Sequence, residues 1–191
     1  MSREQLSNGL ARLAALARQD DWRAGEVEGL TPTQADILRA LIQRPEGLRV
    51  TALAAHLNVT QPTASDAATA LERKGLVEKL ADPGDGRALV LRITRRGRAL
   101  GRRWPLSFGA LVDALSEEDQ ARLLGIVTRA IYELQHRGDI SPQRMCLSCR
   151  YFAPNVHRDQ TRPHHCRFID APLGEGDLRV DCADHEEAQA A

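Results

Sequence analysis

The amino-acid sequence predicts a mainly α-helical protein with one small β-hairpin, continued by a compact cysteine-rich tail. Three observations carry this expectation. Aliphatic residues recur at helical spacing in several long stretches, two short aliphatic runs flank a Pro/Gly/Asp turn, and all four cysteines fall in the last quarter of the chain. With 191 residues there is room for one well-packed domain and a small appendage that draws stability from another source. Hydrophobic residues at 42% and charged residues at 27% are globular values that speak against a disordered or fibrous chain, and the scarcity of aromatics (4%) calls for an aliphatic core.

The first helix opens with Ser2 as N-cap and Gln5 at the capping-box spacing, and it carries Leu6, Leu10, Leu13, Ala14 and Ala17 on one face to about residue 19. The stretch "QDDWRAGEVEG" reads as a polar connection. In "LTPTQADILRALI" three signals agree on a helix start: Thr31 as N-cap, Pro32 at the first helical position and Gln34 at the reciprocal capping position. Thr51 is expected to cap a short helix through "ALAAHL", Asn58 to turn the chain, and Thr60 to cap a longer helix ending near Gly75. A short helix, a tight turn and a longer helix over about 50–75 form a helix-turn-helix.

The runs "LVEKLA" and "LVLRIT" around "DPGDGRA" predict a two-stranded hairpin over about 76–94, which directly after the longer helix would be a wing. From Thr94 a helix extends into the 100s with a kink expected at Pro105, and Ser116 with Asp119 opens a last long helix with Leu123, Leu124, Val127, Ile131 and Leu134 as its stripe. Gly138, Pro142 and a shift in composition place a boundary at about residue 140, dividing a 1–140 domain from a 141–191 module. The helices over about 2–19 and 95–137 have apolar faces that a single copy can hardly bury, so a homodimer is expected, matched to a two-fold palindromic DNA site.

No apolar run approaches a membrane span, and the opening "MSREQLSNGLARLAALARQD" mixes charge into every turn, so a cytoplasmic protein without a membrane partner is expected. In a reducing compartment clustered cysteines suggest metal binding or redox chemistry before disulfides. The formal net charge of zero hides a polarity: ten basic against four acidic residues from Leu71 to Arg103, and seven acidic against one basic from Asp170 to the end. The basic stretch suits a polyanion such as double-stranded DNA. No Gly-rich phosphate loop, G-x-S-x-G elbow or H-E-x-x-H is present, and no enzymatic activity is expected.

From about Ser2 to His136 the chain resembles the MarR-type winged-helix transcription regulators. The resemblance rests on "GLTPTQADIL", "VTALAAHLNVTQPTASDAATALERKGLV" and above all "DPGDGRALVLRIT", with its Asp, any residue, Arg and alternating run ending in Thr. It implies a homodimer whose first and last two helices interlock, each subunit placing one helix in a major groove and one wing along a minor groove. It also allows a small-molecule effector between the helices, and repression as the output.

In the expected recognition helix, Gln61, Thr63, Ser65 and Asp66 are short polar groups able to reach base edges, Gln61 by bidentate pairing with adenine, while Ala67, Ala68 and Leu71 pack inward. Asp66 departs from the resemblance, where basic or neutral residues are usual; beside phosphates an acid must accept from cytosine or weaken binding. Arg87 at the wing tip fits a narrow minor groove. By the resemblance, Asp85 holds that arginine and the turn, a position where turn chemistry alone also asks for Asp or Asn. Arg95, with Arg96 and Arg98, is a candidate phosphate contact or a solvated face.

In the tail, Cys146 and Cys149 form a C-x2-C pair, followed by Cys166 and Cys182, with His164, His165 and His185 nearby. A segment this short can hardly fold alone, and a metal would supply what the core cannot. Zinc is favoured, bound by the four cysteines or by the C-x2-C pair with Cys182 and His185. An iron–sulfur cluster would use the four cysteines alone, with Tyr151, Phe152 and Phe168 as an apolar shield. The tail could then sense metal or redox state, or only stiffen a regulator that answers to another ligand. A rival reading makes the protein a redox or electron-transfer accessory, with the cluster as its active part.

Overall fold

A computed structural model describes residues 2–82, 84–105 and 107–188, with the side chains of Gly86 and Arg87 outside the described set. Among the described residues the chain is mainly helical with two small antiparallel sheets, and it divides into two compact units, Met1–Val112 and Asp113–Ala191. The division falls before the last long helix, about 28 residues earlier than the change in composition suggested, because that helix packs with the cysteine-rich segment.

In the first unit α1 runs Arg3–Glu28, α2 Pro32–Ile42, α3 Val50–His56, α4 Gln61–Arg73 and α5 Arg95–Arg103, and α6, Gly109–Asp113, falls at the division. Four of these starts follow from a side chain that satisfies an orphan N–H. Ser2 accepts from Gln5, Thr31 and Gln34 close both arms of a capping box, Thr60 accepts from Thr63 and Thr94 from Gly97. The core is aliphatic, with Ile37, Leu38, Leu41, Leu53, Leu71 and Leu91 fully buried.

Three expectations are corrected here. α1 does not stop near residue 19: the polar stretch stays helical because Asp21 accepts from Trp104 Nε1 at 3.4 Å and from Ser107 Oγ at 3.0 Å. The helix ends at Gly29, whose φ of 66° is the left-handed conformation in which glycine is unstrained. α3 begins at Val50 with Arg49 as N-cap, so Thr51 lies inside the helix. Pro105 ends α5 instead of kinking it, and Trp104 just before it is extended (ψ 129°), the conformation a following proline imposes.

The hairpin strands are β2 (Val77–Asp82) and β3 (Asp85–Ile93), joined by a third strand the sequence did not announce, β1 (Leu48–Arg49), in the order β1-β3-β2. Leu48 stands opposite Leu91 and Arg49 opposite Val90.

In the second unit α7 spans Glu117–His136, capped by Ser116. A 3-10 turn at Cys146–Ser148 leads into β4 (Phe152–Ala153), β5 (His164–Cys166) and β6 (Ala171–Leu173), which form one antiparallel sheet, and a second 3-10 turn at Glu175–Asp177 follows. The module seats on a face of α7 made of small and polar residues. Gly176 approaches Ala121, Arg129 pairs with Glu175 at 3.3 Å, and Gln135 donates to Met145 Sδ at 2.8 Å. Met145 is fully buried.

Candidate nucleic-acid interface and cysteine cavity

The α3–turn–α4 unit is held by local bonds. Asn58 adopts φ 53°, a left-handed turn that its short polar side chain tolerates, and Val59 N–H returns to Ala54 O at 3.0 Å. α4 therefore leaves the turn with a fixed register: Ala64, Ala67, Ala68 and Leu71 are buried, while Gln61, Thr63, Ser65 and Asp66 are exposed on the opposite side. Thr63 is partly committed, since its hydroxyl lies 2.8 Å from that of the cap residue Thr60. Gln61, Ser65 and Asp66 present side chains to solvent from the first two turns.

The wing is the β2–β3 hairpin, with Asp82 opposite Asp85 at its tip. The Arg87 side chain lies outside the described residues. Asp85 is half exposed and lies 3.7 Å from Arg49 Nη2, and Arg49 also engages Asp82. The hydrogen bond from Gly84 N–H, then Arg49, holds the Asp82 carboxyl below its usual range. Arg49 thus ties β1 to the wing tip, a role that sequence inspection missed because a two-residue strand has no periodicity. Arg95 is exposed at the start of α5, whereas Arg96 and Arg98 donate to the Lys74 and Ile42 carbonyls and serve the fold. Lys79 pairs with Glu72 at 2.7 Å, and Lys74 Nζ donates to Gln34 Oε1 at 2.8 Å, so part of the positive charge counted in the sequence is used internally.

In the second unit the four cysteines, spread from Cys146 to Cys182, come to one place. Cys146 and Cys149 sit at the two ends of the first 3-10 turn, where Cys149 N–H bonds Cys146 O at 3.0 Å. β5 delivers Cys166, paired with Phe152 on one side and Ala171 on the other. Cys182 is fixed by its N–H to Arg144 O at 2.7 Å. All four are free, partly buried thiols, and all line one cavity of about 240 Å³ together with Tyr151, Phe152, Phe168, Leu173, Arg162 and Arg179. Burial pushes the Cys146 thiol up, the backbone N–H of Arg179 works against that rise at 3.3 Å from its sulfur, and the other three cysteines add to it.

Among the described residues no group of three or more His, Cys, Asp or Glu side chains is gathered around a single ion position. His185, weighed as an alternative ligand, is placed elsewhere: its Nε2 lies 3.0 Å from Ser148 Oγ, and it borders a separate hollow with Tyr132, Gln135 and Arg144. Burial and then Arg144 lower its pKa. His164 receives the Asn155 N–H at 3.2 Å, and His165 lies between His157 and Asp170, each at 3.1 Å. These histidines brace the loops around β5.

A helix-turn-helix followed by a three-stranded wing sheet, with an exposed polar face at the start of the second helix, defines a winged-helix DNA-binding regulator. Residues 28–88 match the model of the MarR family. The chain is 37% identical over 94 residues to HTH-type transcriptional repressors of Mycobacterium bovis and Mycobacterium tuberculosis, a match covering 49% of this chain and 67% of theirs. The chain belongs to the MarR family of transcription regulators. Its fold is similar to that of the transcriptional regulator BldR from Sulfolobus solfataricus (TM-score 0.57, 22% identity, 70% of this chain and 99% of that one). It is likewise similar to Staphylococcus aureus MepR in a DNA complex (TM-score 0.56, 24% identity, 70% and 99%) and to CouR from Rhodococcus jostii bound to p-coumaroyl-CoA (TM-score 0.56, 21% identity, 68% and 89%). Among the described residues no helix is long and apolar enough to cross a membrane.

Proposed function

We propose that the protein is a homodimeric, sequence-specific repressor that inserts α4 of each subunit into successive major grooves of a palindromic operator and lays each wing along the flanking minor groove. The observation that carries this reading is the exposed polar face of α4, with Gln61, Ser65 and Asp66 directed away from a buried Ala64/Ala67/Ala68/Leu71 seam. Direct readout needs such a face: side chains short enough to meet base edges, on a helix whose other side is locked. Arg87 reads the minor groove and Arg95 a phosphate, with Asp85 shaping the tip. The repressing relatives and the DNA complex of MepR support the same direction.

Unburied apolar side chains support the dimer. Leu6 and Leu10 on α1 are more than half exposed, and Ile126 and Val127 on α7 are exposed in the second unit. The cysteine module is the metal-binding, signal-receiving part of this regulator. A small-molecule effector is the second reading, favoured by a hollow of about 290 Å³ whose lining includes Leu13, Leu16, Ala17, Phe108 and Leu111, and by the ligand bound to CouR.

The test is selection of duplexes from a random pool by the full chain, followed by titration of the selected site. Replacing Gln61 with Ala is expected to cost about 1–3 kcal/mol per subunit on the selected site, the range for losing one bidentate base contact, hence about 2–6 kcal/mol for the dimer, and to leave binding to random duplex unchanged. Equal losses on both duplexes, or no enrichment of any sequence, would overturn the reading.

A further inference from the structure

The cysteine cavity has a size and a donor set that together discriminate between cofactors. Four thiolates around one zinc sit about 2.3 Å from the metal, which puts the sulfurs about 3.8 Å from one another, in van der Waals contact, with no free volume between them. Here the four cysteines line, together with aromatic, aliphatic and arginine side chains, one cavity of about 240 Å³, and among the described residues no three of their side chains converge on one ion position. That space corresponds to several water volumes of about 30 Å³ each, too large for one ion and suited to a group of several atoms.

The geometry points to an iron–sulfur cluster in this cavity, liganded by Cys146, Cys149, Cys166 and Cys182. Such clusters take four cysteine thiolates and no other protein donor in their commonest form. The four are the only cysteines in the chain, and His185 borders a different hollow. Each thiol would enter as a thiolate and release its proton to solvent. The site also carries the features that stabilise anionic sulfur. Arg179 directs its backbone N–H to Cys146 Sγ at 3.3 Å and its guanidinium to Cys182 Sγ at 4.0 Å. Phe152 and Leu173 supply apolar wall, and the Tyr151 and Phe168 rings pack 5.3 Å apart beside it. N–H···S bonds and solvent exposure are the protein's means of setting a cluster's potential, so Arg179 is assigned as the residue that tunes it.

This inference deepens the reading of the module as a metal-binding part and is independent of DNA recognition, because its test reads cofactor content alone. The full chain is purified without oxygen, and iron, acid-labile sulfide and zinc are counted per chain alongside a visible spectrum before and after dithionite. More than one iron per chain with sulfide in equal amount, and a broad visible band that dithionite bleaches, is the expected result. A colourless protein with about one zinc per chain overturns the assignment, as does failure to take up iron and sulfide on anaerobic reconstitution. Cys166→Ser is expected to lose the band and the sulfide. Because that variant could fail to fold, His185→Gln is measured beside it and is expected to retain full iron and sulfide; their loss in a His185→Gln protein whose far-ultraviolet circular dichroism is unchanged would make the histidine a ligand and overturn the four-cysteine set.

Discussion

Asp66 offers the most direct test of how α4 meets DNA. Its carboxylate is exposed and sits beyond the first turn of α4, so it neither caps the helix nor has a cation paired with it among the described ion pairs. Substituting Asn at this position should leave stability within about 0.5 kcal/mol. Its charge, however, would be carried to the phosphates. At about 6 Å through a water-like dielectric, one carboxylate–phosphate repulsion costs about 0.7 kcal/mol. In a dimer both copies contribute, about 1.4 kcal/mol in all, or about tenfold in affinity. Asp66→Asn is therefore expected to bind the selected duplex about tenfold tighter at low salt. Asp66→Arg should add one phosphate contact per subunit and steepen the slope of log K against log salt by about 1.8 for the dimer. Fluorescence anisotropy from about 50 to 200 mM salt reads both quantities. An Asn variant that binds more weakly than the parent would mean that Asp66 accepts from a base, and the repulsion argument would be refuted.

Two glycines in helices should respond to alanine with opposite signs. Gly9 in α1 faces open space, so Gly9→Ala should stabilise by about 1 kcal/mol through helix propensity. At Gly97 in α5 a Cβ would lie 2.9 Å from the Leu76 carbonyl carbon and 3.1 Å from Ile93 Cγ1, and overpacking of about 1–3 kcal/mol should outweigh the same propensity gain. Urea denaturation of both variants checks the pair, and a stabilised Gly97→Ala would defeat the steric account. At the wing tip, the folded Asp82 carboxyl titrates below its unfolded value of about 3.9, so the tip's stabilisation is complete above that pH and is lost as pH falls through the lower folded value. The Gly84 amide resonance should follow this titration with a midpoint below about 3.9, and a midpoint at or above it would contradict the bonding described.

Much of the winged domain was legible because helix starts are written locally. Thr31, Thr60, Thr94 and Ser116 each act on an N–H three residues away, so sequence spacing alone exposes them. What escaped depends on distant partners. The continuation of α1 through Asp21 is set by Trp104 and Ser107, more than eighty residues on, and β1 exists only because Val90 and Leu91 stand opposite it. In the tail the C-x2-C pair was visible, whereas the arrival of Cys166 in the same cavity depends on the β4–β5–β6 sheet, whose strands of two or three residues are too short to show an alternation.

The face of α7 was the least legible feature, and its arrangement bears on how the module could act. The aliphatic stripe of Leu123, Leu124, Val127, Ile131 and Leu134 points to a face for a second copy, and nothing in it announces that the module seats on Ala121, Gly125, Arg129 and Gln135. Gly125 makes room for Glu175, whose carboxyl carbon would lie 3.0 Å from an added Cβ. Ile126 and Val127 are left exposed on the remaining surface of the same helix. One helix therefore carries the cysteine module on one side and unpartnered aliphatic side chains on another. If those side chains meet a second subunit, cofactor binding and subunit association become linked equilibria on one element, and each must change the other by the same factor. A cofactor that orders the module would then strengthen the dimer, and with it the paired presentation of two α4 helices on which affinity for a palindrome depends.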